Sequence, residues 1–234
     1  SYVDGFLDRD RDTIHVVERV KGKREYREYP ARYTFYYKEP RGKYTSIFGD
    51  KLERVICNSS KKYNTEKKIN AHKGLFESDI DPVFRCFEDN YDPTQSPELN
   101  LCFFDIEVDF NKDVGFAPPE DPFNAVTAVS LHLGWLNQTI CLAVKPDTLS
   151  TEQAEAVMNK FPDSLLMKDE EELLNTFLEL IDDADILSGW NSEGFDIPYM
   201  VNRVARVLSK SHTRKFCLWQ KFPRERTLIK YGKE

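Results

Sequence analysis

The chain has 234 residues, 40% of them hydrophobic and 31% charged, and its 16 Phe and 11 Tyr can build a real core for one large or two ordinary domains. No apolar run approaches the ~18 residues that a membrane span needs, and Ser1 to Gly5 has neither a basic head nor an apolar stretch, so neither a membrane segment nor a secretory signal is expected. The net charge of −7 hides a segregation: residues 1–74 hold 18 Lys and Arg against 11 Asp and Glu, residues 75–200 hold 5 against 27, and residues 201–234 hold 10 against 2. Two basic flanks around an acidic centre suit a polyanion held near carboxylates and cations, although three differently charged solvated surfaces would read the same way.

Thr13 to Val20 is β-branched and partly alternating, which predicts a strand; Lys21-Gly22-Lys23 predicts a turn, and Arg24 to Tyr29 a second strand. Arg32 to Tyr37 and Lys43 to Phe48 predict a third and a fourth. Eight of the 11 Tyr lie in the first 74 residues, among basic ones. Such interleaving can stack bases and hold phosphates, or can be ordinary strand packing with charged outer neighbours. Lys61 to Lys73 predicts a polar helix, Asp79 to Tyr91 a short one, and Asn90 to Pro97 a linker, which divides the chain into domains 1–98 and 99–234.

The second domain opens on an apolar strand, Leu99 to Val108, followed by a Gly/Pro/acid loop over 111–122. Strands are predicted over 123–133 and 138–144, and a helix over 151–160. Asp169 starts a clear helix: Glu170, Glu171 and Glu172 suit its first turn, and Leu173, Leu174, Phe177, Leu178 and Ile181 recur at helical spacing. Ala184 to Gly189 predicts a short strand, and Pro198 sits near the first turn of a last helix. Together these make a mixed α/β chain. Five Cys, an odd number and with no C-x-x-C pair, argue against a disulfide framework or structural zinc and for a reducing, cytoplasmic setting. The start at Ser1 rather than Met suggests a trimmed beginning.

Asp105 and Glu107 stand two apart in a strand otherwise fit for burial, so they share one face. Paired anions there would repel and be costly to desolvate, and a hard divalent cation would remove the problem; a strand end with solvated acids is the plainer alternative. Asp196 lies where a polar loop meets a helix, and by itself reads most simply as a helix cap.

Phe104-Asp105-Ile106-Glu107 resembles the first exonuclease motif of family B DNA polymerases, and Gly189-Trp190-Asn191 through Phe195-Asp196-Ile197-Pro198-Tyr199 with Asn202-Arg203 resembles the second. The likeness is nearest to the T-even bacteriophage type and extends to Glu28-Tyr29-Pro30, Ile47 to Lys51 and Phe76 to Ile80 of the first domain. It implies a ribonuclease-H-like 3′–5′ proofreading exonuclease behind a smaller α+β N-terminal domain, acting on single-stranded and primer–template DNA in the host cell cytoplasm. It implies that Asp105, Glu107 and Asp196 hold two Mg²⁺ or Mn²⁺ ions, that Phe116 stacks on the frayed strand, and that Asn191 lies near it.

The third motif of that family, Tyr-x-x-x-Asp, has no counterpart after Asp196, and the polymerase palm is missing too. Phe222 to Glu234 resembles one arm of a hairpin inside the exonuclease domain. The expectation is therefore a truncated or naturally split polymerase, whose missing region or second polypeptide supplies the third motif and the polymerase domain, with little activity in the chain alone. The competing reading is an inactive nucleic-acid-binding and assembly module of a split polymerase. A free-standing nuclease lacks a spare acid.

Overall fold

The structure, a computed structural model, describes residues 1–224, and these divide into two compact units, the first ending at Glu98 and the second starting at Leu99. The first unit opens with an antiparallel sheet of β1 (Tyr2–Asp8), β2 (Thr13–Val20) and β3 (Lys23–Pro30), with β2 in the middle. Lys21 and Gly22 join β2 to β3 with positive φ at both, 52° and 79°, as in a primed two-residue turn whose twist matches that of the strands. The central strand buries Ile14, Val16 and Val17, whereas the outer β3 alternates charges that protect its edge from pairing with other chains.

A second sheet has the order β5 (Tyr44–Thr45), β6 (Lys51–Cys57), β4 (Tyr33–Lys38) and β7 (Leu75–Phe76). Helix α1 (Ser60–Asn70) packs against β4 and β6, and its Tyr63 ring meets Tyr33 and Phe35. Helix α2 (Pro82–Asn90) adds Val83 and Cys86 to the core made by Ile14, Val16, Ala31, Tyr33 and Cys57. Two predictions shift here. The strand expected over 43–48 shrinks to two residues because Ser46 to Asp50 turns the chain, with the Ser46 hydroxyl accepting from the N–H groups of Phe48 and Asp50. The helix expected over 61–73 ends at Asn70, and a 3₁₀ turn follows at Ala71–Lys73. Strands β1, β6 and β7 were not predicted.

The second unit holds a five-stranded sheet in the order β11 (Ser164–Met167), β10 (Gln138–Val144), β9 (Val126–Leu133), β8 (Leu101–Val108), β12 (Ile186–Ser188). Strands β8, β9 and β10 are antiparallel neighbours, while β11 joins β10 and β12 joins β8 in parallel. Helix α3 (Thr151–Met158) leads into β11, α4 (Glu170–Leu180) leads towards β12, and α5 (Asp196–Val207) follows it. The core collects Cys102, Phe104 and Ile106 of β8, Val129, Leu131 and Leu133 of β9, and Leu173, Leu174, Phe177 and Leu178 of α4. Tyr199, Met200 and Val204 of α5 complete it.

Asp169 caps α4 as its sequence predicts, accepting from the Glu172 N–H at 2.9 Å. Residues 222–224 have no regular structure, and the remainder of the hairpin arm expected over 222–234 lies outside the described residues. Among the described residues no helix is long and apolar enough to cross a membrane.

Candidate active site

Strand β8 alternates cleanly. Cys102, Phe104 and Ile106 enter the core, while Phe103, Asp105 and Glu107 stand on the opposite, open face. Asp105 and Glu107 are therefore side by side and both exposed, so of the two readings of this pair the structure favours solvated acids over desolvated ones. Opposite Asp105 on β9 is Ser130 and opposite Phe103 is His132. These residues, with Thr139, Ser188, Gly189 and Trp190, line a shallow groove of about 720 Å³.

The buried carboxylate is Asp196, only 4% exposed. It is the first residue of α5 rather than its cap, and its Oδ1 accepts from the Ile106 N–H at 3.2 Å. The reason lies in the sheet. Strand β12 pairs with β8 only from Leu101 to Phe103, and past that point the β8 edge needs another acceptor. Asp196 supplies it. Burial is the main influence that pushes the Asp196 carboxyl above the usual carboxylate range; the Ile106 N–H opposes this and the charge of Asp105 adds to it. The charge of Asp105 thus reaches Asp196 across the strand edge. Gly189 is forced at the exit of β12, since a β-carbon there would stand 2.4 Å from the Phe104 carbonyl oxygen.

Asp105, Glu107 and Asp196 are not gathered into one cluster: among the described residues no group of three or more carboxylate, imidazole or thiol side chains is placed to hold a metal ion. The physical reason is that Asp196 is turned into the edge of β8, whereas Asp105 and Glu107 project from the open face. What the three residues offer together is a set of hard carboxylate oxygens, two of whose carriers repel, and that is the donor chemistry of Mg²⁺ or Mn²⁺.

Phe116 is 68% exposed on the loop after β8, its ring 4.9 Å from that of Phe110. The loop is held firmly. Gly115 donates to the Asn111 carbonyl at 2.7 Å, and the Asn124 amide donates to the Gly115 carbonyl at 3.0 Å. Helix α5 grips the rest of it: Tyr199 Oη donates to the Asn124 carbonyl (2.7 Å), Asn202 to the Pro119 carbonyl (2.8 Å) and Arg203 to the Pro122 carbonyl (2.8 Å). Arg203 also makes a two-pronged ion pair with Glu170, both contacts at 2.7 Å, and Glu170 accepts from the Val126 N–H. Glu170 is thus a tie between α4, α5 and β9 as well as part of a helix start.

Asn191 takes a left-handed conformation, φ 53°, and its carbonyl accepts from the Gly194 and Phe195 N–H groups, so it shapes the loop that delivers Asp196. Its neighbour Trp190 is 93% exposed at the groove edge and was assigned no role from sequence. The available signal was a large apolar residue inside an otherwise polar loop, with no helical or strand period to bury it.

Two comparisons bear on this arrangement. The chain is 29% identical over 138 residues to the DNA polymerase catalytic subunit of Saimiriine herpesvirus 2 (strain 11), a match covering 56% of this chain and 13% of that protein. The chain therefore spans only a small part of the length of that relative. The family model for the DNA polymerase family B exonuclease domain matches residues 52–229, well over half of the sequence, and includes the whole of the groove, the Asp196 loop and the anchored Phe116 loop. The chain belongs to the family B DNA polymerase exonuclease domain family.

Proposed function

We propose that this chain is the 3′–5′ proofreading exonuclease part of a DNA polymerase of the T-even bacteriophage type, removing 3′-terminal nucleotides from DNA in the host cytoplasm. The observation that carries the reading is the meeting of the two motif segments at one strand edge, where Asp196 accepts from Ile106 between Asp105 and Glu107. The central antiparallel strands with parallel strands added on either side support a ribonuclease-H-like second unit. The first unit is read as the N-terminal domain.

In this reading Asp105, Glu107 and Asp196 would hold Mg²⁺ or Mn²⁺, which when bound would activate a water and stabilise the leaving 3′ oxygen. The chain's own residues position the substrate. Exposed Phe116, steadied by Phe110 and by the α5 contacts, offers a ring on which a frayed base can stack. Asn191 shapes the loop beside the strand. A further segment, in the same polypeptide or a second one, would bring the Tyr-x-x-x-Asp carboxylate and the polymerase domain.

The test is release of 3′-end-labelled nucleotides from single-stranded DNA by the complete polymerase, with and without divalent cation. Replacing Asp105 and Glu107 together by Ala is expected to lower the rate by at least about 10³-fold while circular dichroism stays unchanged, since both side chains are exposed. A double variant that digests DNA at the wild-type rate would refute the reading.

A further inference from the structure

Helix α5 turns two faces to its surroundings. Met200 and Val204 enter the core. Tyr199, Asn202, Arg203 and Arg206, spaced i, i+3, i+4 and i+7, form a stripe of donors, and all four donate to the loop between β8 and β9. The loop needs them. Pro118, Pro119 and Pro122 have no N–H to pair, so its descending arm cannot be held by a strand ladder. The carbonyls of Pro119, Pro122, Phe123 and Asn124 take their donors from α5 instead.

Arg203 also reaches a second helix. Its guanidinium meets Glu170 of α4 through two parallel contacts, with the side chains only 11% and 14% exposed, and the same carboxylate accepts from the N–H of Val126, the first residue of β9. Helices α4 and α5, the end of the loop and the start of β9 are therefore closed into one circuit of hydrogen bonds. A covered ion pair adds little net stability once desolvation is counted, and it suits the fixing of one arrangement among several.

What the circuit fixes lies at its two ends. Asp196 opens α5, seven residues before Arg203, which is about 10 Å along the helix axis. Phe116 stands at the other end of the loop, its ring exposed. One rigid helix thus carries a carboxylate of the candidate site and grips the arm of the loop that presents the ring. We propose that the Arg203–Glu170 pair is a positioning device that sets the Phe116 ring against the carboxylates, so that a single strand stacked on the ring brings its 3′ end to Asp105 and Glu107. This role rests on the exonuclease reading for its substrate, and Arg203 performs it through the loop and not by touching the strand.

Removing Arg203 alone would strand the Glu170 charge in a covered place. The test variant is therefore Arg203→Met with Glu170→Gln, which leaves no unpaired charge and keeps an acceptor for the Val126 N–H. In the complete polymerase with Mg²⁺, Phe116→Ala is expected to raise KM for a short single-stranded oligo(dT) about 5- to 150-fold, the worth of one stacked base. The pair variant is expected to reproduce most of that rise with kcat unchanged, because the binding lost is common to ground and transition states. Adding Phe116→Ala to it should raise KM no further. Arg203→Lys keeps the charge paired but lacks the planar fork, and its KM should fall between those of wild type and the pair variant. The same strand carrying 4-thiothymidine near its 3′ end, irradiated in EDTA, should cross-link to Phe116 in the wild type and much less in the pair variant. This second arm needs no hydrolysis. A wild type that cross-links there, loses the cross-link with the pair and yet releases no nucleotide in Mg²⁺ would uphold the positioning role and refute the exonuclease reading alone. Unchanged KM in the pair variant and in Arg203→Lys, a fall in kcat in place of a rise in KM, or additive effects of the pair and Phe116→Ala would each overturn the role.

Discussion

Each unit has a carboxylate that ties distant segments together, and the two are tuned in opposite directions. In the first unit Asp12 accepts from Tyr33 Oη at 2.6 Å and from the Ser60 N–H at 2.9 Å, joining the β1–β2 turn to β4 and to the first turn of α1. The Tyr33 hydroxyl is the largest influence holding the Asp12 carboxyl below the usual carboxylate range, so folding favours its charge. In the second unit Asp196 also bridges distant segments, yet burial and the nearby Asp105 make its charge unfavourable. Asp12 is built as a structural anchor should be. Asp196 carries a charge that burial opposes, which fits the role proposed for it in chemistry.

Replacing Asp196 tests that contrast most sharply. Asp196→Asn keeps an oxygen to accept from Ile106 and removes the charge. Exonuclease activity of the complete polymerase is expected to fall by at least about 10³-fold, on the reading proposed for the site. Stability in EDTA should instead rise, by about 0.5–2 kcal/mol at neutral pH. The sign follows from the raised carboxyl: the wild type loses stability as pH rises through the folded-state value, so the advantage of Asn should shrink in acid. Urea melts of both proteins at pH 4 and pH 7.5 measure this, and a less stable variant at pH 7.5 would remove the contrast.

Gly189→Ala is the next largest change. Its β-carbon would lie 2.4 Å from the Phe104 carbonyl and 3.3 Å from Ser192 Cβ, and the carbonyl belongs to a central strand that cannot yield cheaply. A loss of about 2–4 kcal/mol is expected. Denaturant unfolding checks it, and a near-neutral result would mean that the loop moves freely from β8.

Much of the second unit was legible because its signals are local. The alternation around Asp105, the acidic first turn of α4 and the apolar spacing of α5 each lie within a dozen residues. The omissions have a shared cause. Strand β1 contains Asp4 and Gly5 and becomes a strand by pairing with β2, and β7 is only two residues long and exists by pairing with β4. The contact of Asp196 with Ile106 spans 90 positions, and that of Arg203 with Glu170 spans 33. Periodicity shows which face a residue takes, but only the assembled sheet shows that β12 stops short and leaves its neighbour's edge for Asp196.

On the anchoring side, Asp12→Ala removes two hydrogen bonds to a charged group and leaves the buried Tyr33 hydroxyl without its acceptor. The expected cost is about 2 kcal/mol, read as a fall in the denaturation midpoint. A stabilised variant would show that Asp12 resembles Asp196 after all.

Tyr33→Phe should have the smallest effect, because Asp12 keeps the Ser60 N–H; about 1 kcal/mol is expected at neutral pH. Its pH dependence is the more telling quantity. Burial, with the Asp12 hydrogen bond and charge second, pushes the Tyr33 phenol up to about 12, from an unfolded value of about 10. The stability that Tyr33 contributes is therefore complete below about pH 10 and is lost as pH rises towards about 12. Other tyrosines, half-buried Tyr63 and buried Tyr199 among them, are also raised, so the wild-type curve alone cannot isolate Tyr33. The difference between wild type and Tyr33→Phe does. It should be constant from pH 6 to 9 and then shrink towards pH 11, with the wild type losing more. In Asp12→Ala the same difference should shrink less and level off sooner, because the phenol has lost the neighbour that helps to keep it protonated and titrates nearer its unfolded value. If the difference stays level across the alkaline range, the Asp12–Tyr33 bond is not what anchors the first unit, and the contrast with Asp196 rests on burial alone.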